Sequence, residues 1–199
     1  MRNKRKTLAG PNFGRTRKEK KVELRHVKGF FSWIFEILLV VVLTATFVYF
    51  FCVVVTVLGP SMEPTLENRE RVLMERFIYL FTPPSANDLI VFSYGRTQNS
   101  QYFIKRVIAV PGDTVQIVNG KVLVNGEPFE ERGDFPLIES AMIAQEPVKV
   151  GEDEFFVLGD NRNNSEDSRF AGVGNVKRED IRGRVWFRIS PLRRFGFVR

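Results

Sequence analysis

Residues 37–58 have the sequence I-L-L-V-V-V-L-T-A-T-F-V-Y-F-F-C-V-V-V-T-V-L, a run of 22 residues without a charged side chain. As a helix rising about 1.5 Å per residue, it would be roughly 33 Å long, which is enough to cross the hydrocarbon core of a bilayer. A buried helix of a globular protein is the alternative, but such helices are rarely apolar on every face. We therefore predict one membrane-spanning helix, in a transmembrane anchor at residues 29–58.

Charge on the two sides of this run predicts its orientation. Residues 1–28 carry eleven Lys or Arg and two Glu, and form a basic tail. By the positive-inside rule, the tail stays in the cytoplasm and residues 59–199 lie on the extracytoplasmic side of the inner or cytoplasmic membrane. A cleavable signal peptide is the competing interpretation, but its apolar region spans only about 7–15 residues. The sequence thus favours an uncleaved, single-pass anchor.

The same distribution of charge bears on the partners of the protein. The formal net charge is +7, but the part after the anchor has nineteen Lys or Arg and twenty Asp or Glu. A nucleic-acid-binding domain needs a basic surface, and this nearly neutral part does not supply one. We expect a monomer that contacts membrane lipid and binds no nucleic acid.

The scarcity of cysteine and histidine excludes several kinds of site. Cys52 is the only cysteine and falls inside the predicted anchor, while His26 is the only histidine and falls in the basic tail. No disulfide within the chain, no cysteine-based zinc site and no histidine-rich metal site can form after the anchor. A Ser-His-Asp arrangement is excluded there as well. We predict no metal and no cofactor.

The chain after the anchor has the pattern of a β domain. Short apolar or aromatic runs alternate with turn signals, at 71–80, 88–92, 102–110, 115–118, 122–124, 154–158 and 184–189. Asn-Gly pairs at 119–120 and 125–126 are strong hairpin signals. We predict a mostly β fold, with an all-β domain at 59–199 and a hairpin-containing insert at 111–155. Residues 127–151 are mixed and allow no assignment.

Ser61 and Lys105 are the candidate reactive residues. Ser61 lies between two prolines directly after the apolar run, and a serine nucleophile needs a base. Lysine serves only if burial lowers its pKa from about 10.4. Among the four lysines after residue 60, Lys105 alone lies in a strand-like apolar run, Y-F-I-K-R-V-I (102–108). An ordinary turn serine and an edge-strand lysine with its ammonium in water are the alternatives.

Four stretches together resemble a known family. They are G-P-S-M-E-P-T-L (59–66), D-L-I-V-F (88–92), Y-F-I-K-R-V-I-A-V-P-G-D (102–113) and G-D-N-R-N-N-S-E-D-S-R (159–169). In this order and after an apolar span, they resemble the conserved boxes of the type I signal peptidases, membrane-anchored serine proteases with a Ser/Lys dyad. The resemblance implies an endopeptidase that removes signal peptides from exported preproteins after small residues at positions −1 and −3.

The resemblance also implies a role for each matching residue. Ser61 would attack the scissile carbonyl, and Lys105 would take its proton and pass it to the leaving amine. Ser165 would hydrogen-bond Lys105 and orient it. The other implied site residues are two structural ion pairs and one side chain below the nucleophile: Asp160 with Arg106, Asp167 with Arg169, and Met62.

Two positions depart from the family pattern. Some members have a serine hydroxyl in the oxyanion hole two residues before the nucleophile, where this chain has Gly59. The hole would then use the Ser61 backbone N–H and a second donor that the sequence does not identify. Asn163 stands where aspartate is usual, and we expect little effect from this change.

Two other functions compete with this interpretation. A Ser/Lys peptidase similar to the self-cleaving repressors of the DNA-damage response is one, but it would need a DNA-binding domain that the basic tail is too short to form. A membrane-tethered β module without activity is the other. In that case Ser61 and Lys105 would be incidental.

Overall fold

The computed structural model describes residues 15–93 and 102–198. The chain divides into two compact units, with the boundary between Val48 and Tyr49. The first unit contains all but the last three residues of helix α1, Arg15–Phe51. Within α1, Gly29–Tyr49 has a mean hydropathy of 2.3 and no buried side chain, as a single-pass membrane anchor requires. Residues 1–14 of the predicted basic tail lie outside the described residues.

The apolar run 37–58 is not one continuous helix. Strand β1, Cys52–Thr56, follows α1 directly and pairs antiparallel with β2, Arg71–Glu75. Val53 and Val55 pack against the core of the second unit, while Val54 is 44% exposed. Helix α1 therefore ends seven residues before residue 58, the predicted end of the anchor. An apolar run alone does not separate a helix from a strand with one buried face.

The second unit is built from two antiparallel sheets. The larger has eight strands in the order β1-β2-β11-β3-β4-β9-β10, with β12 beside β11, and the smaller has the order β7-β6-β5-β8. The remaining strands are β3 Leu89–Ser93, β4 Tyr102–Ala109, β5 Thr114–Val118, β6 Lys121–Val124, β7 Glu127–Pro128, β8 Val148–Lys149, β9 Glu154–Leu158, β10 Val176–Lys177, β11 Ile181–Ser190 and β12 Gly196–Phe197. This confirms the mostly β fold.

The strands of the smaller sheet come from the predicted hairpin and from the region that the sequence left unassigned. Asn119 and Gly120 join β5 to β6 with φ angles of 51° and 77°, in the left-handed region that a two-residue hairpin turn requires. Residues 127–151, which the sequence left unassigned, contain β7, a short 3-10 helix at Met142–Gln145 and β8. The smaller sheet is therefore formed entirely within residues 114–149.

One core connects the two sheets. Ile108 and Ala109 at the end of β4, with Phe156 and Leu158 of β9, are buried in the same cluster as the inward side chains of β5 and β6. A second cluster contains Met62 and lies along β1, β2 and β3. Strand β4 lies between β3 and β9, in the interior of the larger sheet. Its residues from Ile104 to Ala109 are buried.

Candidate active site

Ser61 lies in a tightly folded loop after β1, which we define as the Ser61 loop, residues 57–70. Val57 N–H donates to the Glu70 carbonyl at 2.8 Å, which closes the two ends of the loop. Gly59 N–H donates to the Asn68 side chain at 3.1 Å. Met62 is 1% exposed and packs into the core. The fold of this loop leaves Ser61 half-buried.

The 159–169 loop contacts the Ser61 loop from one side. Asn161 donates twice to it, from its backbone N–H to the Ser61 carbonyl and from its side chain to the Pro60 carbonyl, both at 3.1 Å. Gly159 allows this approach, because a Cβ there would lie 2.5 Å from the Ser61 carbonyl oxygen and 2.1 Å from Ser165 Oγ. The structure therefore brings Ser61, Gly159 and Ser165 together.

Lys105 is buried in the middle of the larger sheet. It is 2% exposed and pairs with Ile90 across β3 and β4. Burial lowers the pKa of Lys105 to about 8, although the nearby carboxylates of Asp167 and Glu166 act in the opposite direction. Because β4 is an interior strand, the alternative of an edge-strand lysine with its ammonium in water is excluded. The residue has the environment that a lysine base requires.

Two buried ion pairs involve residues named from the sequence. Arg106 donates from Nε and Nη2 to the two carboxylate oxygens of Asp160, both at 2.7 Å, and both side chains are 0% exposed. Arg169 donates to Asp167 from Nε at 2.8 Å and from Nη2 at 3.0 Å. Both pairs are bidentate, which fixes the guanidinium planes as well as the charges.

Asp167 also organises its own loop. Its Oδ2 accepts hydrogen bonds from Gly159 N–H at 3.0 Å and from Ser165 Oγ at 2.9 Å. The Ser165 hydroxyl donates to Asp167 and its oxygen can still accept a hydrogen bond, so the contact with Lys105 that the resemblance implies stays a prediction. Ser165 is therefore held beside the carboxylate that interacts electrostatically with Lys105.

A segment that the sequence did not assign covers the buried arginines, and we name it the covering segment, residues 129–145. Arg162 pairs with Glu131 at 2.7 Å, and its guanidinium lies 4.6 Å from the centre of the Phe135 ring. Asn163 accepts from Glu139 N–H and donates to the Leu137 carbonyl, both at 3.0 Å. An aspartate could accept but not donate, so the expectation that Asn163 has little effect is revised.

An apolar groove of about 610 Å³ opens beside Ser61. Strand β1 and the residues up to Leu58 line it, as do Phe103 and Ile104 at the start of β4. A groove of this kind suits an extended peptide. Its remaining lining residues come from the Ser61 loop, β2 and the residue after it, β3 and the start of β4: Gly59, Ser61, Met62, Met74, Arg76, Val91 and Tyr102.

Comparison with known families decides among the enzyme and binding-module interpretations. The sequence model described as "Signal peptidase, peptidase S26" matches residues 30–190. The chain belongs to the signal peptidase family. It is thus a serine endopeptidase of that family, and signal peptidases remove signal peptides from preproteins. The self-cleaving repressor and the inactive module are excluded as alternatives.

Individual signal peptidases agree with this membership. The chain is 47% identical over 143 residues to a "Signal peptidase I" of Leptolyngbya laminosa, a match that covers 68% of each chain. It is 34% identical over 182 residues to "Signal peptidase I P" of Bacillus subtilis subsp. natto, covering 86% of this chain and 95% of that one. A crystal structure of a signal peptidase I from Enterococcus faecalis V583 is 30% identical, with a TM-score of 0.40, and covers 52% of this chain and 97% of that one.

Several contacts of this signal peptidase had no clear signal in the sequence. The covering segment was left unassigned because its partners, Arg162 and Asn163, follow it in a different loop. The Ser61 loop also contacts Arg188 and Arg194, which lie more than 120 positions further along the chain. In the part of the chain that the structure describes, no cluster of three or more His, Cys, Asp or Glu could hold a metal ion.

Proposed function

We propose that this signal peptidase cleaves preproteins with Ser61 as the nucleophile and Lys105 as the general base. The observation that carries the proposal is the burial of Lys105, which lowers its pKa to about 8. A lysine with this pKa is deprotonated in a useful fraction of molecules near neutral pH, whereas an ordinary lysine is not. The contacts of the 159–169 loop with both Ser61 and the surroundings of Lys105 support the pairing.

The chemical steps balance with these two side chains and one water molecule. Ser61 Oγ attacks the scissile carbonyl carbon and loses its proton to Lys105 Nζ. The C–N bond then breaks, the amine of the mature protein takes that proton, and the signal peptide remains as an ester on Ser61. A water molecule loses a proton to Lys105 and hydrolyses the ester, which restores the hydroxyl. The backbone N–H of Ser61 would stabilise the oxyanion in both steps.

The apolar groove supports a preference for small residues at positions −1 and −3. In an extended chain, these two side chains point to the same side, while the residue at −2 points away. The groove between β1 and β4 presents Val, Ile and Met side chains next to Ser61. We propose that its depth admits alanine-sized side chains at both positions and excludes larger ones.

The basic tail and the apolar part of α1 support an orientation with the N-terminus in the cytoplasm and the β unit outside. Protease added to spheroplasts would then digest residues after 60 and spare the tail. Protection of the β unit would refute this orientation. We further propose that the enzyme acts as a monomer in contact with lipid.

The test of the mechanism is cleavage of a preprotein by full-length enzyme in detergent. Ser61→Ala and Lys105→Met should each lose nearly all activity while remaining folded, because each removes one member of the dyad. Lys121→Met is the matched control, since Lys121 is exposed at the end of the hairpin turn. Retention of activity by Ser61→Ala would refute the assignment of the nucleophile.

A further inference from the structure

Two arginines, Arg188 and Arg194, contact the Ser61 loop in addition to the 159–169 loop, and we name them the arginine pair. Arg188 Nε lies 2.7 Å from one carboxylate oxygen of Glu70, and Arg194 Nη1 lies 2.9 Å from the other. Arg194 Nη1 is also 2.6 Å from Glu67. Two acidic side chains of the loop thus share the charge of two guanidinium groups.

The arginine pair also binds the backbone of the loop directly. Arg194 Nη2 donates to the carbonyls of Pro64 and Thr65, at 2.8 Å and 3.1 Å. Arg188 Nη2 donates to the Thr65 carbonyl as well. These carbonyls belong to the third and fourth residues after Ser61. The contacts therefore restrain the backbone close to the nucleophile, in addition to neutralising side chains.

Glu70 is the residue of the Ser61 loop that both arginines contact. Its side chain is 2% exposed, so its charge is stable in the fold only while the arginines pair with it. Its backbone carbonyl accepts the hydrogen bond from Val57 N–H that closes the loop. Glu70 thus connects the arginine pair to both ends of the segment that carries Ser61.

Ser61 consequently lies between two sets of contacts. Asn161 holds the carbonyls of Pro60 and Ser61 from one side, and the arginine pair holds the following residues from the other. The family match ends at residue 190, so Arg194 lies beyond the part of the chain that the family model covers. We propose that Arg194, with Arg188, is a positioning residue, which fixes the Ser61 hydroxyl in its reactive position through Glu70 and the loop backbone.

This inference rests on the proposed role of Ser61, and its test compares variants of full-length enzyme in detergent. Arg194→Gln removes the charge and most of the donors. Arg193→Gln is the matched control, because Arg193 is the neighbouring residue, its side chain is 75% exposed and its Nη2 lies 3.5 Å from Glu67. Arg194→Lys keeps the positive charge near Glu70, but its single nitrogen cannot bind the carboxylates and the two carbonyls from separate atoms, as Nη1 and Nη2 of arginine do.

The readout is kcat and KM per folded molecule on a signal-peptide substrate. Misplacement of a reacting group by about 1 Å can cost roughly a hundredfold in rate. We expect Arg194→Gln to lower kcat by about ten- to a hundredfold with KM changed by less than about twofold, and Arg194→Lys to fall between it and wild type. Arg193→Gln should match wild type. A purely structural contact would lower the folded fraction and the melting temperature but leave kcat per folded molecule unchanged, and that result would overturn the inference.

A double variant distinguishes positioning through Glu70 from other effects. Glu70→Gln should lower kcat by a similar factor, and the Glu70→Gln/Arg194→Gln variant should be little slower than either single one, because both disrupt the same contact. Fully additive losses would overturn the inference. If Arg194→Gln does not fold, Arg194→Lys carries the same comparison. Activity in Ser61→Ala would refute the proposed function itself, whereas wild-type kcat in Arg194→Gln and Arg194→Lys would refute only the positioning role.

Discussion

Replacing Lys105 by methionine should stabilise the protein, by an amount that depends on pH. The pKa of Lys105 is lowered from 10.5 to about 8, chiefly by burial. One pKa unit corresponds to about 1.4 kcal/mol, so keeping this lysine protonated in the folded state costs roughly 3 kcal/mol. Lys105→Met removes that cost, because the methionine side chain is uncharged, apolar and similar in length to that of lysine. The variant should therefore unfold at a higher urea concentration than wild type at about pH 7, while losing all activity.

The sign of the pH dependence follows from which state binds the proton. Below about pH 8 both states are protonated, and the full cost is present. Between about pH 8 and 10.5 the unfolded chain retains a proton that the folded chain has lost, so the stability of wild type rises with pH. Lys105→Met and wild type differ in their free energy of unfolding, and part of this difference comes from the charge of Lys105. That part should disappear as the pH approaches about 10.5.

Urea unfolding of both proteins in detergent micelles, at about pH 7 and about pH 10.5, measures this difference. Lys121→Met is the control, since Lys121 is exposed. The reasoning is refuted if the Met variant gains no stability at the lower pH, or if its gain is the same at both. In parallel, the acid limb of kcat/KM in wild type should have its midpoint near pH 8, with activity rising as Lys105 loses its proton. Lys105→Arg should be inactive, because guanidinium keeps its proton in this range.

Three further substitutions test the surroundings of the dyad. Asp167→Ala leaves Arg169, which is 3% exposed, without its carboxylate, so the free energy of unfolding should fall by about 3–5 kcal/mol; an unchanged urea midpoint would contradict this. Asn163→Asp removes the amide donor to the covering segment and should cost about 1 kcal/mol in the same assay, whereas Asn164→Asp, at an exposed neighbour, should cost less. Gly59 has a φ of 84° with open space around it, so Gly59→Ser should lower the melting temperature through about 1–2 kcal/mol of strain. If the new hydroxyl reaches the oxyanion, kcat should stay the same or rise. A large fall in kcat would mean that the backbone conformation of Gly59 itself is needed.

The sequence predicted the β fold where local signals were strong. The Asn119–Gly120 turn is an example, because a two-residue hairpin turn depends on residues that tolerate positive φ. The boundary between anchor and sheet was not predictable in this way. No turn residue separates Phe51 from Cys52, and the valines of β1 are as apolar as those of α1. Only pairing with β2, which is a tertiary contact, makes these residues a strand.

For the candidate site, the sequence singled out a lysine with unusual neighbours. Lys105 was the one lysine after the anchor in an apolar run, and burial is the property that distinguishes it in the structure. The contacts of Ser165 and Asn163 were not predictable, because they depend on how one loop folds against another segment. The arginine pair was missed for the same reason. Nothing in the composition near Arg194 indicates that its partner is Glu70.

The sequence distance between the partners of the Ser61 loop has a consequence for folding kinetics. Asn161 and Pro60 are 101 positions apart, and Arg194 and Pro64 are 130 positions apart. Contacts between residues so distant in sequence form late, since the chain must first lose the entropy of closing a long loop. The Ser61 loop should therefore become ordered only after β11 has joined the larger sheet. A newly made chain would have no protease activity while it folds. In a refolding experiment, activity would therefore appear with the last folding step, after the sheets have formed.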